Sequence, residues 1–121
     1  MILVHGGEQR MDSILNSIKS FLGPDSEDTS FDAPLILLIN SVFGILFQLG
    51  VGPKDSPYKV VDENNTWDEF MQGDEIETVK SYICVKVKLL FDPPSSSFVL
   101  ASYQDLAKEF EWRCNVDAET P

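Results

Sequence analysis

The segment "LLFDPPSSSFVLASY", residues Leu89–Tyr103, decides how the second half of the chain folds. Pro93 disfavours helical backbone angles at the residue before it, so the preceding apolar helix must end at Asp92. The serines that follow offer side-chain oxygens to the free amide groups of a new helix. The segment therefore predicts a tight αα-hairpin. Its turn consists of Asp92, Pro93, Pro94, Ser95, Ser96 and Ser97.

Apolar residues at helical spacing predict one helix on each side of this turn, from about Glu75 to Phe91 and from about Ser97 to Asn115. Upstream, the same spacing predicts a helix from Met11 to Leu22, with Lys19 on its polar side. Another is predicted from Ala33 to Leu49, with Asp32 as its N-cap. These four main helices favour an all-α bundle.

The connection between the second and third main helices carries weaker signals. Thr66 is a predicted N-cap for a short helix, "WDEFMQ". Tyr58–Val61 is predicted to form either a short strand or part of a loop. The expected fold is therefore a small helical bundle with a short β element or a loop between helices two and three.

Residues 35–51, "LILLINSVFGILFQLGV", are apolar nearly all the way round a helix. Such a helix is buried on all sides or lies in a membrane. The run is shorter than the roughly 20 apolar residues of a spanning helix, and its flanks offer Asp32 and Lys54 with no basic cluster or aromatic belt. We therefore predict a central helix whose second face meets another helix or another subunit. The predicted subunit contacts are whichever of these residues face outward: Asn40, Phe43, Phe47 and Gln48.

Composition indicates which functions to expect. The chain has 121 residues, enough for one domain, and 20 acidic against 9 basic residues give a net charge of −11. Such a surface repels phosphate and disfavours tight DNA binding. The two cysteines lack metal-ligand spacing and are predicted to be free thiols in a reducing compartment. No phosphate-binding loop or zinc pattern occurs, so we expect neither an enzyme nor a cofactor or metal.

The first ten residues, "MILVHGGEQR", match nothing after them. Gly6-Gly7-Glu8 can be encoded by a purine-rich stretch that resembles a bacterial ribosome-binding site upstream of the Met11 codon. One hypothesis is that translation starts at Met11 and that residues 1–10 are a non-native or disordered leader; the other is a real N-terminal arm. The expected organisation is then one helical domain over residues 11–116, followed by a tail over residues 117–121.

Four blocks, in order, resemble the small head–tail connector (adaptor) proteins of tailed bacteriophages and prophages: "FQLGVGP", "TWDEF", "VKSYICVKVKLLFDPPSSSFVL" and "KEFEWRCNV". The resemblance covers roughly residues 11–116. It implies a homo-oligomeric ring that adds to the portal protein ring at the head–tail interface of the virion, after assembly in the host bacterial cytoplasm. DNA would pass through this ring without specific binding, and a further connector or stopper protein would follow.

The resemblance also implies where the partners bind. The portal contact is expected near the end of the last helix and the tail, at Glu109, Trp112 and Arg113. The loop over residues 53–65 is expected to face the channel or the next ring. The isolated chain is expected to be a monomer, with no membrane partner. Two other interpretations remain at this point: a free acidic helical protein that inhibits a nucleic-acid enzyme by presenting DNA-like charge, and a small cytoplasmic enzyme.

Overall fold

The structure, a computed structural model, describes residues 12–23 and 28–119, without the side chains of residues 117–119. No strand occurs in this part of the chain, so the predicted all-α fold is confirmed and the alternative of a strand at Tyr58–Val61 is wrong. The predicted leader, including His5, lies outside the described residues. The helices are α1 (Ile14–Leu22), α2 (Asp32–Gln48), α3 (Trp67–Phe70), α4 (Ile76–Phe91) and α5 (Ser97–Glu119).

Helix α4 is the centre of the bundle, because α1, α2 and α5 each pack against it. Its buried side chains point in several directions around the helix axis: Val79, Tyr82, Ile83, Val85 and Val87. Two lysines on this helix keep their charges near the surface and find acidic partners. Lys86 lies 3.1 Å from Glu111 on α5, and Lys88 lies 3.1 Å from Asp92 in the turn.

Helix α4 and not α2 is the central helix, so that part of the prediction is wrong. One side packs into the core through Leu35, Ile39, Val42, Phe43 and Leu46. The opposite side is open, and Leu37 in its middle is 68 % exposed. No other described helix covers this side, because α2 packs chiefly against α4. The all-round apolar character of α2 therefore leaves an apolar surface on the subunit.

Helix α1 is attached to α3 through backbone and side-chain hydrogen bonds. Ser13 caps α1 by accepting the Asn16 backbone N–H on its Oγ at 3.2 Å. Ser13 and Thr66 also form an isolated antiparallel bridge. The Trp67 indole N–H donates to Ser17 Oγ at 3.1 Å while its ring is buried. These contacts explain why the short α3 helix closes one end of the core.

A buried ion pair joins the end of α1 to the start of α2. Lys19 is 8 % exposed, and its ammonium lies 2.8 Å from Asp32 Oδ1. Lys19, which helical spacing places on the polar side of α1, is therefore buried together with its acidic partner. Asp32 is not the N-cap, since Phe31 occupies that position and Asp32 is the first helical residue. Its carboxylate remains favourable in the first turn and additionally neutralises Lys19.

The Asn40 side chain holds the loop between α2 and α3 by hydrogen bonding to the loop backbone, as a neighbouring strand would. Asn40 Nδ2 donates to the Val60 carbonyl at 3.0 Å, and the Val60 N–H donates to Asn40 Oδ1 at 2.8 Å. Val60 is thereby buried against the core with both backbone groups satisfied. Nearby, Phe43 packs edge-on against Phe70 at 4.6 Å between ring centroids.

Candidate interaction surfaces

The hairpin turn lies at one end of the bundle. Helix α4 ends at Phe91, and Asp92 leaves helical geometry with φ −151° and ψ 73° before the two prolines. Ser96 Oγ then accepts the Val99 backbone N–H at 3.3 Å at the start of α5. The turn therefore reverses the chain within five residues, and α5 runs back along α4.

Three polar and aromatic contacts attach the C-terminal half of α5 to α4. The Tyr82 hydroxyl donates to Glu111 Oε2 at 2.6 Å, and Lys86 lies 3.1 Å from the same oxygen. The Tyr82 and Phe110 rings stack at 4.4 Å. Burial, and then the Glu111 carboxylate, raise the pKa of Tyr82 far above its usual value. This cluster fixes the rotation of α5 about its own axis.

That rotation places the expected portal-contact residues on the outside of the subunit. Trp112 is 65 % exposed, and its neighbours Glu109 and Arg113 form an exposed ion pair one helical turn apart. Helix α5 runs to Glu119, one turn beyond the predicted end at Asn115, so residues 117–119 of the expected tail are helical. Residues 120–121 lie outside the described part.

The four residues expected at the subunit interface differ in how far they are exposed in the structure. Phe43 is 1 % exposed and belongs to the core, so it is removed from the expected surface. Asn40 is half-buried and engaged with Val60. Phe47 is half-buried at the edge of α2, and only Gln48 is exposed. Gln48 shares the open side of α2 with Leu37 and Ser41, which are both exposed and which the sequence did not single out.

A groove of about 490 Å³ lies beside α4 and the C-terminal half of α5. Its walls include apolar side chains, among them Val51, Leu106 and Phe110, and Glu75 and Arg113 also line it. Cys114 also lines the groove and is half-buried. The groove therefore combines an apolar wall with charges of both signs.

Acidic residues are concentrated in and around α3. The segment over residues 62–77 contains seven acidic side chains and no basic one. Within it, hydrogen bonds from Tyr58, from the Thr66 backbone and from Asn65 lower the pKa of Glu69. Burial and the bond to Glu69 raise the pKa of Tyr58 to about 12. The seven are Asp62, Glu63, Asp68, Glu69, Asp74, Glu75 and Glu77.

Among the described residues, no group of three or more His, Cys, Asp or Glu side chains is placed to hold a metal ion. Within the same part of the chain, the helices are too short or too polar to cross a membrane. Cys84 on α4 is a half-buried free thiol, and burial raises its pKa to about 11. A raised pKa keeps this thiol protonated and unreactive near neutral pH.

The model of one protein family, described as phage connector protein, matches residues 14–121 of this chain. The chain belongs to the phage connector protein family. The match spans all five helices, so the resemblance to head–tail connectors is confirmed. Comparison with curated proteins and with solved structures returned no match for this connector.

Membership in this family supports a general role at the head–tail junction of a phage particle, in association with portal and tail components. It also suggests a structural protein and not an enzyme. This connector therefore has three candidate surfaces for partners: the open side of α2, the outer side of α5 and the acidic segment. The predicted portal-contact residues all lie on the outer side of α5.

Sequence reasoning missed the contacts that fix these surfaces. Tyr82 and Glu111 are 29 residues apart, and Asn40 and Val60 are 20 apart, so neither pair has a local pattern. A polar residue within a largely apolar helix nevertheless indicates a specific hydrogen-bonded contact. Asn40 interrupts such a run, and a buried amide requires hydrogen-bond partners.

Proposed function

We propose that this connector assembles as a ring on the portal protein ring and extends the DNA channel toward the tail. The observation that carries the proposal is the family match over residues 14–121, which covers the whole described helical bundle. A net charge of −11 supports it, because an acidic wall repels DNA phosphates and lets DNA slide. A following connector or stopper ring would continue the channel.

The portal contact is assigned to the C-terminal half of α5. Trp112 is the most exposed large hydrophobic side chain there, and tryptophan is among the residues that contribute most to binding when an interface covers them. The Glu109–Arg113 pair flanks it and offers directional polar contacts. The loop over residues 53–65 is left for the channel side or for the next ring.

Sedimentation with the portal ring of the same phage tests the function. The wild-type connector should co-sediment as a ring, while Trp112→Ala should weaken binding by roughly tenfold or more without loss of helicity. Gln72→Ala is the matched control, because Gln72 is exposed in the connection between α3 and α4, outside α5. If the wild-type chain leaves portal sedimentation unchanged, the proposed function is wrong.

DNA binding provides an independent test of the conduit. The connector should not shift duplex DNA in a gel at moderate salt, because its phosphate contacts would be opposed by the acidic surface. Tight binding that weakens steeply with salt would contradict passage of DNA without specific binding. The same result would also argue against the expected repulsion between the channel wall and DNA.

A further inference from the structure

Two helix faces of this acidic subunit carry no charge. After Asp32, residues 33–48 of α2 contain no charged side chain, and their open side presents Leu37, Ser41 and Gln48. The first eight residues of α5, 97–104, are also uncharged, and Phe98 there is 80 % exposed. Copies with a net charge of −11 repel one another least where such faces meet.

These two faces lie on different helices of the subunit. Helices α2 and α5 each pack against α4. The core side of α2 contains Leu35, Ile39 and Leu46, and Leu37 lies on the opposite side. Likewise Ala107 is the buried contact of α5, and Phe98 lies on the far side of that helix. Each uncharged face therefore points away from the core side of its own helix.

We propose that the uncharged N-terminal face of α5 in one subunit packs against the open side of α2 in the next subunit. This inference rests on the proposed ring function and names its subunit interface. Two different faces make a heterologous contact, which generates a ring when the rotation closes. The occupant of each face is thus a second copy of this chain, and Phe98 and Leu37 are the principal contacts.

The arrangement divides α5 between two partners. Its first two turns, with Phe98 and Ala101, contact the neighbouring subunit, and its later turns, with Trp112, remain free for the portal. Each apolar face is narrow, whereas stable interfaces bury about 800 Å² per partner. Association of free subunits is therefore weak and rises with salt, which screens the remaining acidic repulsion. Binding to the portal raises the local concentration of neighbours and completes the ring.

Cross-linking of two cysteine variants tests this pairing. In a background with Cys84→Ala and Cys114→Ala, one preparation carries Leu37→Cys and another carries Phe98→Cys. A short bismaleimide reagent bridges side chains across a helix–helix contact, where axes lie about 8–10 Å apart. Mixed on the portal, the two preparations should cross-link to each other, and neither should cross-link alone. Glu77→Cys, on an exposed side chain of the acidic segment, is the control that should not cross-link to Leu37→Cys.

The outcomes separate this inference from the proposed function. Rings visible on the portal by electron microscopy without Leu37–Phe98 cross-links would overturn the interface and leave the ring function standing. Cross-links within the Leu37→Cys preparation alone would show a two-fold contact between identical faces. Cross-links from Leu37→Cys to the portal would show that the portal covers this side of α2. Either result overturns the pairing. Absence of rings on the portal would overturn both proposals.

A charge-swap experiment with the native cysteines retained provides a second readout. Leu37→Lys and Phe98→Asp should each abolish ring formation on the portal, because each places one charge in an apolar contact. The chain that carries both substitutions should recover ring formation, since every interface then pairs Lys with Asp. Circular dichroism should show wild-type helicity for all three. Failure of the double variant to recover while both single variants fail would contradict the pairing.

Discussion

Helices α2 and α4 reverse the roles that their compositions predict. Helix α2 has no charge after Asp32 and looks like the natural centre of the bundle, yet Leu37 is 68 % exposed. Helix α4 carries three lysines, and its apolar side chains are buried on several sides. Long lysine stems accept burial when their ammonium groups reach carboxylates, as Lys86 does with Glu111. Helix α2 therefore packs one side into the core and leaves an apolar side open, which we propose the next subunit covers.

The largest loss of stability is expected for a substitution in α4. Ile83 is fully buried, so Ile83→Ala should lower the free energy of unfolding by about 2–5 kcal/mol through lost burial and an unfilled cavity. Urea unfolding followed by circular dichroism measures the change. A loss below about 1 kcal/mol would contradict the placement of α4 at the centre of the core.

Alanine substitutions at two glycines should affect stability differently near the core and on the open side of α2. Gly52 has φ +95°, and a Cβ there would come 2.6 Å from a ring carbon of Phe70. Gly52→Ala should therefore cost about 1–3 kcal/mol in unfolding free energy. A Cβ at Gly44 in α2 would meet no side chain or neighbouring element within 4 Å, so Gly44→Ala is the control and should stabilise by up to about 1 kcal/mol. Equal effects in a thermal melt would contradict this assignment.

High pH should weaken α4 through two of its buried groups. The folded state raises the pKa of Cys84 from 9.0 to about 11 and raises that of Tyr82 from 10.0. The protonated side chains of Cys84 and Tyr82 stabilise the folded state fully below pH 9.0. This stabilisation is lost as pH rises, because the unfolded chain releases both protons at a lower pH than the folded chain does. Each group contributes at most about 1.4 kcal/mol per pH unit.

Urea unfolding over a pH series measures this loss. Cys84→Ala should remove the part that begins near pH 9, and Tyr82→Phe should remove the part that begins near pH 10. Tyr82→Phe also loses the bond to Glu111, so its stability near neutral pH should start lower by about 1–3 kcal/mol. Wild-type slopes in both variants would show that neither group is responsible.

The smallest effect on folding is expected at Leu37. Because this side chain is mostly exposed, Leu37→Asp should change the free energy of unfolding by no more than about 0.5 kcal/mol. The same urea titration as for Ile83→Ala provides the comparison. A loss comparable to that of Ile83→Ala would show that Leu37 is covered within the subunit and would remove the distinction between the two helices.

Local signals in the sequence predicted most of the fold. Pro93 enforces the end of α4, and helical spacing gave the all-α class, because both depend on neighbouring residues alone. Thr66 was predicted as the N-cap of α3, and the structure places it there, with Glu69 accepting its backbone N–H at 3.3 Å. Element boundaries shifted by a few residues, most at the end of α5.

Contacts between distant residues explain the errors. Helical spacing reports which side chains are apolar but not which helix covers them, so the centre was assigned to α2. Helical spacing places Lys19 on the polar side of α1, and only its pairing with Asp32, 13 positions later, accounts for its burial. Phe43 and Phe47 are indistinguishable in sequence, and only packing against Phe70 buries the first. The portal-contact residues remain predictions, since the described contacts are all within one chain.

The mass of portal complexes formed with wild-type and Leu37→Asp connectors tests the central claim most directly. The claim is that the open side of α2 is covered by the next subunit of a ring on the portal. Wild-type protein should raise the mass of the portal ring by one complete ring of subunits. Leu37→Asp, with unchanged helicity, should add only scattered subunits through its intact Trp112 surface. An equal mass increment for Leu37→Asp would contradict the claim.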